Sequence, residues 1–289
     1  MTSGIKNKIV TSIYDLNYIN ERGGMIYKSF DLLTLTFRNV IFSDYDYIIY
    51  TDHRTYNNHN FSDFFERPNV TIKFLELNGD LYNELINPLR LKKIQSGDIW
   101  DRIHSVNNYV EVMYNKFEII LKECENFDGS LVWIDSGLFG TSCSDGWRDY
   151  MVKIAHTEYF FKKIFEKIEL YDLISLKGNA ITINYEDKNK INNLFNLNCE
   201  IVPGGLFGGK SSDVLNCFST YKEIIKKMVN CGFYTSDQEI LYILLSNQER
   251  KMFFEFDDWV DFQKGILKIM DLYDENEYST HECYKKIIR

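Results

Sequence analysis

The chain has little proline, 3 residues in 289, and its 6 cysteines never fall at a C-x-x-C spacing. The first absence leaves long regular elements uninterrupted, and the second removes support for a structural zinc site. A chain this long can bury a large core without covalent staples, so the cysteines are expected to be reduced and mostly buried. Basic residues do not dominate either: 33 Lys and Arg against 42 Asp and Glu give a net charge of -9. That balance argues against a nucleic-acid partner, which requires a basic face. No apolar run approaches the ~20 residues of a membrane span. The first residues, Met1 to Lys8, lack the apolar core of a secretory signal, so the sequence predicts a cytoplasmic protein with no membrane span. Repeats and low-complexity tracts are absent too.

What is present alternates between strand and helix patterns. Ile9–Tyr14, Tyr47–Tyr50 and Val70–Leu75 read as strands, with an amphipathic helix near Tyr27–Arg38. The segment Leu81–Arg102 contains Pro88, Gly97 and Trp100, which are expected to break any long helix. A helix from about Ile103 to Cys124 carries Tyr109, Val112, Met113, Phe117 and Ile120 on one face, with Lys116 off that stripe. Further helices are expected over Tyr150–Glu169, Val214–Asn230 and Ile240–Leu245, with strands at Asp172–Leu176 and Met252–Phe256. The order predicts an α/β nucleotide-binding fold, a mostly parallel sheet flanked by helices. One catalytic domain is expected over residues 1–289. Within it, 1–137 form a nucleotide-binding half, 138–256 a sugar and acceptor half, and 257–289 a tail.

Leu131-Val132-Trp133-Ile134 runs directly into Asp135-Ser136-Gly137. A short unbroken apolar run reads as a strand buried on both faces, and an aspartate at its carboxyl end sits where open α/β sheets bind ligands. There Asp135 could hold Mg²⁺ or Mn²⁺ against a diphosphate; its other reading is a helix cap or turn former. Gly204-Gly205-Leu206-Phe207-Gly208-Gly209 is neither G-x-G-x-x-G nor a P-loop. It reads either as a backbone floor beneath a sugar or as two tight turns around a short strand. Asp237-Gln238-Glu239 opens a helix, either as a capping box or as a site carboxylate kept ionised by the helix dipole.

Together these motifs resemble the glycosyltransferases of the GT-A fold, in particular the HtrL/YibB family of bacterial and viral glycosyltransferases. The resemblance runs from about Lys8 to Leu245. It rests on Tyr14-Asp15, Tyr50-Thr51-Asp52, Met113-Tyr114-Asn115-Lys116, Trp133-Ile134-Asp135-Ser136-Gly137, Pro203 to Gly209, and Asp237-Gln238-Glu239. It implies that Tyr14 and Asp15 face the base and ribose of a nucleotide-sugar, with Arg22, Asp52 and Ser136 also on the donor side. By the same resemblance Lys116 reaches the diphosphate or sugar, and Asp135 stands where the Asp-x-Asp motif binds metal. Gly204, Gly205, Gly208 and Gly209 with Gln238 line the donor, and Asp237 or Glu239 stands near the anomeric carbon as charge stabiliser or base. The usual second aspartate is Gly137 here, which puts metal dependence in question. A more distant resemblance to glycogenin-like enzymes, which recruit a late histidine, makes His281 a candidate metal ligand and favours retention of configuration. The other histidines, His53 and His59 among them, show no ligand spacing and read as surface or loop residues.

The implied activity is transfer of a sugar from a nucleotide-diphosphate donor, a UDP-sugar by preference, to the hydroxyl of a glycan or other acceptor, with Mn²⁺ or Mg²⁺. Two other readings stay open. One is a non-catalytic binding or scaffold protein. The other is a nucleotidyltransferase, which would need two metal carboxylates and a basic triphosphate loop; Arg22 with Gly23-Gly24 is the only candidate loop.

Overall fold

The computed structural model describes residues 6–15, 45–59, 61, 65–77, 81–96, 109–136, 138, 158–178, 185–197, 202, 204–234, 237–256 and 262–271. The helix expected at Tyr27–Arg38, Arg22 with Gly23-Gly24, Gly97, Trp100, Gly137 and His281 lie outside them.

Seven strands form one sheet in the order β3-β2-β1-β4-β6-β5-β7. They are β1 (Lys6–Ser12), β2 (Asp46–Thr51), β3 (Val70–Phe74), β4 (Gly129–Ile134), β5 (Leu173–Gly178), β6 (Leu206–Lys210) and β7 (Lys251–Phe256). The pairs β1–β2, β2–β3, β1–β4 and β5–β7 are parallel, whereas β6 runs antiparallel to both β4 and β5. The chain builds outward from β1 through β2 to β3, then returns to place β4 on the other flank of β1. The gap between the carboxyl ends of β1 and β4 is therefore a topological switch point, where open sheets of this class take their ligands.

Alternation along each strand divides the core in two. Ile9, Tyr47, Ile49, Val132, Ile134, Ile174 and Leu206 pack on one face against Phe160, Phe161, Ile164, Phe165 and Ile168 of α4 (Glu158–Leu170). Val10, Ile48, Leu131, Trp133, Leu173 and Phe207 pack on the other face with Met113, Phe117 and Ile120 of α3 (Tyr109–Cys124). The second face also receives α6 (Ser211–Phe218), α7 (Tyr221–Asn230) and α8 (Asp237–Ser246). Between β2 and α3 lie α1 (His53–Asn58) and α2 (Asn87–Ser96); α5 (Tyr185–Phe195) precedes β6, and α9 (Phe262–Ile269) follows β7.

Three expectations about helices are corrected. The single helix expected over Val214–Asn230 is two, α6 and α7, parted by a turn at Ser219 and Thr220. Leu81–Ser96 is one helical stretch, a π-helical segment (Leu81–Ile86) running into α2, and Pro88 does not break it. Pro88 stands in the first turn of the α-segment, where a missing N–H costs least. Lys116 is on the buried stripe of α3 rather than off it: it lies three residues after Met113 and four before Ile120, so all three share a face. Cys124 and Cys217 are free and buried, and burial pushes both thiols up to about 12, so neither is poised to react. No described helix is long and apolar enough to cross a membrane.

Candidate functional site

Asp135 directly follows β4 at the switch point. Its backbone N–H donates to Gly205 O at 2.8 Å, which ties the strand end to the turn before β6. Because side chains two apart on a strand share a face, Asp135 points to the same side as Trp133, toward α3. There its Oδ1 accepts from the Trp133 indole Nε1–H at 2.6 Å and from Lys116 Nζ at 3.2 Å. Its Oδ2 has no partner among the described residues, and the side chain is 40% exposed. The carboxylate is thus anchored by one oxygen and presents the other outward.

Lys116 arrives from the middle of α3 with its side chain only 5% exposed. It donates to Asp135, to Gly204 O at 3.2 Å, and to Asp237 Oδ2 in a short ion pair, with the Trp133 ring centroid 5.7 Å away. Burial alone would lower its pKa, but the carboxylates of Asp135 and Asp237 outweigh burial and hold it above the ordinary lysine value. Asp237, the first residue of α8, is 4% exposed. Burial pushes its carboxyl above the usual aspartate range, against the pull of Lys116, and Asp135 adds to the rise. Two carboxylates against one ammonium leave the cluster an excess of negative charge, and only Asp135 carries it to solvent.

Gly204 makes this geometry possible. A Cβ there would collide with Asp237 Oδ2 and lie 2.6 Å from Lys116 Nζ, so only a bare Cα lets the ion pair form beneath it. Gly205 is held close in the same way, with a Cβ falling 2.6 Å from Leu138 Cδ1. The expectation that Gly208 and Gly209 also line a donor is corrected. Both lie inside β6, where a Cβ would strike Leu131 O and Val132 Cα (2.8 Å) at the first, and Asp172 O and Leu173 Cδ2 (2.6 Å) at the second. They are glycine because neighbouring strands crowd them.

The remaining predicted residues are spread more widely. Tyr14 is buried and its hydroxyl donates to Leu75 O at 3.2 Å; burial and nearby acidic groups raise its pKa. It is a core tyrosine, not one facing a base, because its polar tip is already engaged. Asp52 is the N-cap of α1, with Oδ1 accepting from Thr55 N at 2.6 Å, so its expected donor role gives way to a capping one. Asp15 remains at the carboxyl end of β1 with its Oδ2 2.5 Å from His59 Nε2, and Arg54 donates to its carbonyl. His59, read as a surface or loop residue, stands in the turn after α1 and faces Asp15 there; His53, read the same way, is exposed, its ring stacked on Phe74 at 4.1 Å beside Glu76. Nothing in the spacing signalled either contact. Ser136 is buried and Gln238 half-buried, while Glu239 is 1% exposed within α8. Of the two candidate catalytic carboxylates, Asp237 is the one that meets Lys116.

No group of three or more His, Cys, Asp or Glu that could hold a metal exists among the described residues. Asp135 Oδ2 is one outward oxygen, which suits a cation whose other ligands are water and substrate phosphates rather than one caged by the protein.

No protein-family model matches the chain, and no curated protein does. Among solved structures it is similar to one described as 4-diphosphocytidyl-2C-methyl-D-erythritolsynthase, from Anaerococcus prevotii DSM 20548. That match has a TM-score of 0.43 and 8% identity, over 93% of this chain and 96% of that one. So distant a likeness says nothing about the chemistry.

Proposed function

We propose that the chain is a glycosyltransferase that binds a nucleotide-diphosphate sugar at the carboxyl ends of β1 and β4 and passes the sugar to an acceptor hydroxyl. The observation that carries this reading is Asp135, a half-exposed carboxylate at the topological switch point with one oxygen anchored and the other open to a ligand.

In this reading the acceptor oxygen bonds to the anomeric carbon as the carbon–oxygen bond to the diphosphate breaks, and the acceptor proton passes to a base. The leaving group takes the electron pair and is strongly anionic. A divalent cation, when bound, would supply charge neutralisation for it, with Asp135 Oδ2 as the protein ligand. Lys116 is a fixed positive charge held under the same carboxylate, and it needs no reorganisation as charge develops. Asp237, buried behind Lys116, serves as its counter-charge.

The reading is tested with purified protein, Mn²⁺ and a panel of nucleotide-sugars, following release of nucleoside diphosphate. Asp135→Ala is expected to lower turnover by at least about a hundredfold, the scale of losing one charge-stabilising contact. Wild-type turnover in that variant would end the proposal. The same end of the sheet could receive a nucleoside triphosphate. Pyrophosphate released from a triphosphate and a sugar phosphate, with no turnover of nucleotide-sugars, would therefore assign nucleotidyl transfer instead. Thermal stabilisation by nucleoside diphosphates without turnover would assign binding alone.

A further inference from the structure

A buried indole N–H is a donor with no acceptor capacity of its own, and it must find a partner. Trp133 is almost wholly buried, its ring stacked on Phe207 at 6.2 Å between centroids. Its N–H finds the carboxylate two residues further on, just past the end of the strand. That bond and the one from Lys116 converge on the same oxygen, Oδ1. Two donors arriving from different elements, a strand and a helix, hold one oxygen of the carboxylate against the protein and so set the aim of the group.

We infer that Trp133 is a positioning residue, which with Lys116 locks Asp135 by Oδ1 so that Oδ2 is the fixed ligand-facing oxygen for a cation carrying a nucleoside diphosphate. This rests on the proposed function of the same site. The spacing Trp-x-Asp at the end of a buried strand is then a unit: period two puts both side chains on one face, and the indole sets the aim of the acid. Losing a group that orients a metal-binding side chain typically costs about 10–100-fold in metal affinity.

The variant that isolates the N–H is Trp133→Phe, which keeps an aromatic ring against Phe207. Phe207→Leu is its packing control, since it disturbs the other side of the same stack and leaves the donor in place. Calorimetry with Mn²⁺ and uridine diphosphate is expected to show binding weakened about tenfold or more in Trp133→Phe. In Phe207→Leu, binding should be unchanged despite a lower melting temperature. Indole ¹⁵N NMR supplies a signature that packing alone does not move. The chain has 4 tryptophans, and loss of one indole peak in Trp133→Phe assigns Trp133. That peak should lie downfield in wild type and move upfield in Asp135→Asn. An unmoved peak in Asp135→Asn, or equal binding by wild type and Trp133→Phe, overturns the inference while leaving the site's function standing. A peak that moves while wild type binds no nucleoside diphosphate fails the proposed function. It also reduces the Trp133–Asp135 bond to a contact of the fold.

Discussion

Helix α3 carries two lysine–carboxylate clusters of opposite make-up. In the middle of the helix one lysine, Lys116, sits between two acids, Asp135 and Asp237. At its carboxyl end one acid, Glu123, sits among Lys8 at 3.7 Å, Lys73 at 2.5 Å and the Tyr50 hydroxyl at 2.6 Å. Burial and the Glu123 bond both raise the Tyr50 pKa, so that hydroxyl stays a donor. Glu123 itself is buried, and the exposed ends of its cluster are cations that reach water along their own stems. Around Lys116 the exposed end is a carboxylate with an oxygen to spare. Burial of charge is common to both, so it does not mark a site. What sets the first apart is a charge left over at the end of the sheet where strands finish, and the proposed function rests on that.

Breaking the first cluster should cost the most. Lys116→Met strands Asp237 as a buried acid without its counter-charge, and about 3–5 kcal/mol of stability should be lost in urea unfolding. Lys116→Met with Asp237→Leu should recover much of that loss but no nucleotide binding. A double variant as weak as the single would mean that the two acids do not share one lysine. Glu123→Gln should cost less, about 1–3 kcal/mol for hydrogen bonds to a charged group, because its lysines can turn to solvent. It should leave Mn²⁺–nucleotide affinity as in wild type; a parallel loss of affinity would erase the distinction between the clusters. The smallest effect belongs to a surface cluster that serves as baseline, Asp271 with Lys163 at 3.2 Å and Lys167 at 2.5 Å. Lys167 first, then Lys163, hold the Asp271 carboxyl below its ordinary 3.8. An acid whose folded value is depressed stabilises the fold above its unfolded value, and that stability fades as pH falls through the folded value. The gap between wild type and Asp271→Asn should be small, shrink with salt, and close in strong acid. A gap that widened in acid would reverse the sign.

The central strand and its terminal aspartate were legible because burial on both faces writes an unbroken apolar run, Leu131–Ile134, and the ligand end of such a strand is fixed by topology. The partners of Asp135 were half legible. Trp133 is readable from period two, whereas Lys116 was misassigned: counting apolar positions alone hides a charged residue that the helix buries on the same stripe. The direction of β6 is not written in Leu-Phe-Gly-Gly-Lys, which fits either sense. It is also what separates Gly204, at the site, from Gly208 and Gly209, inside the sheet. Tyr14, Asp52 and His59 depend on which loop residue lies opposite, and no local pattern encodes that.

The reversed β6 has a consequence for how the molecule is made. Strand β4 takes β1 on one flank and β6 on the other, yet β6 comes from far later in the chain. Until Leu206–Lys210 has left the ribosome, an apolar ribbon stands with a row of amides and carbonyls facing nothing of its own, the kind of edge that recruits strangers. Cutting the gene ahead of Leu206 would leave that edge open for good, so the two halves of this chain are not separable parts.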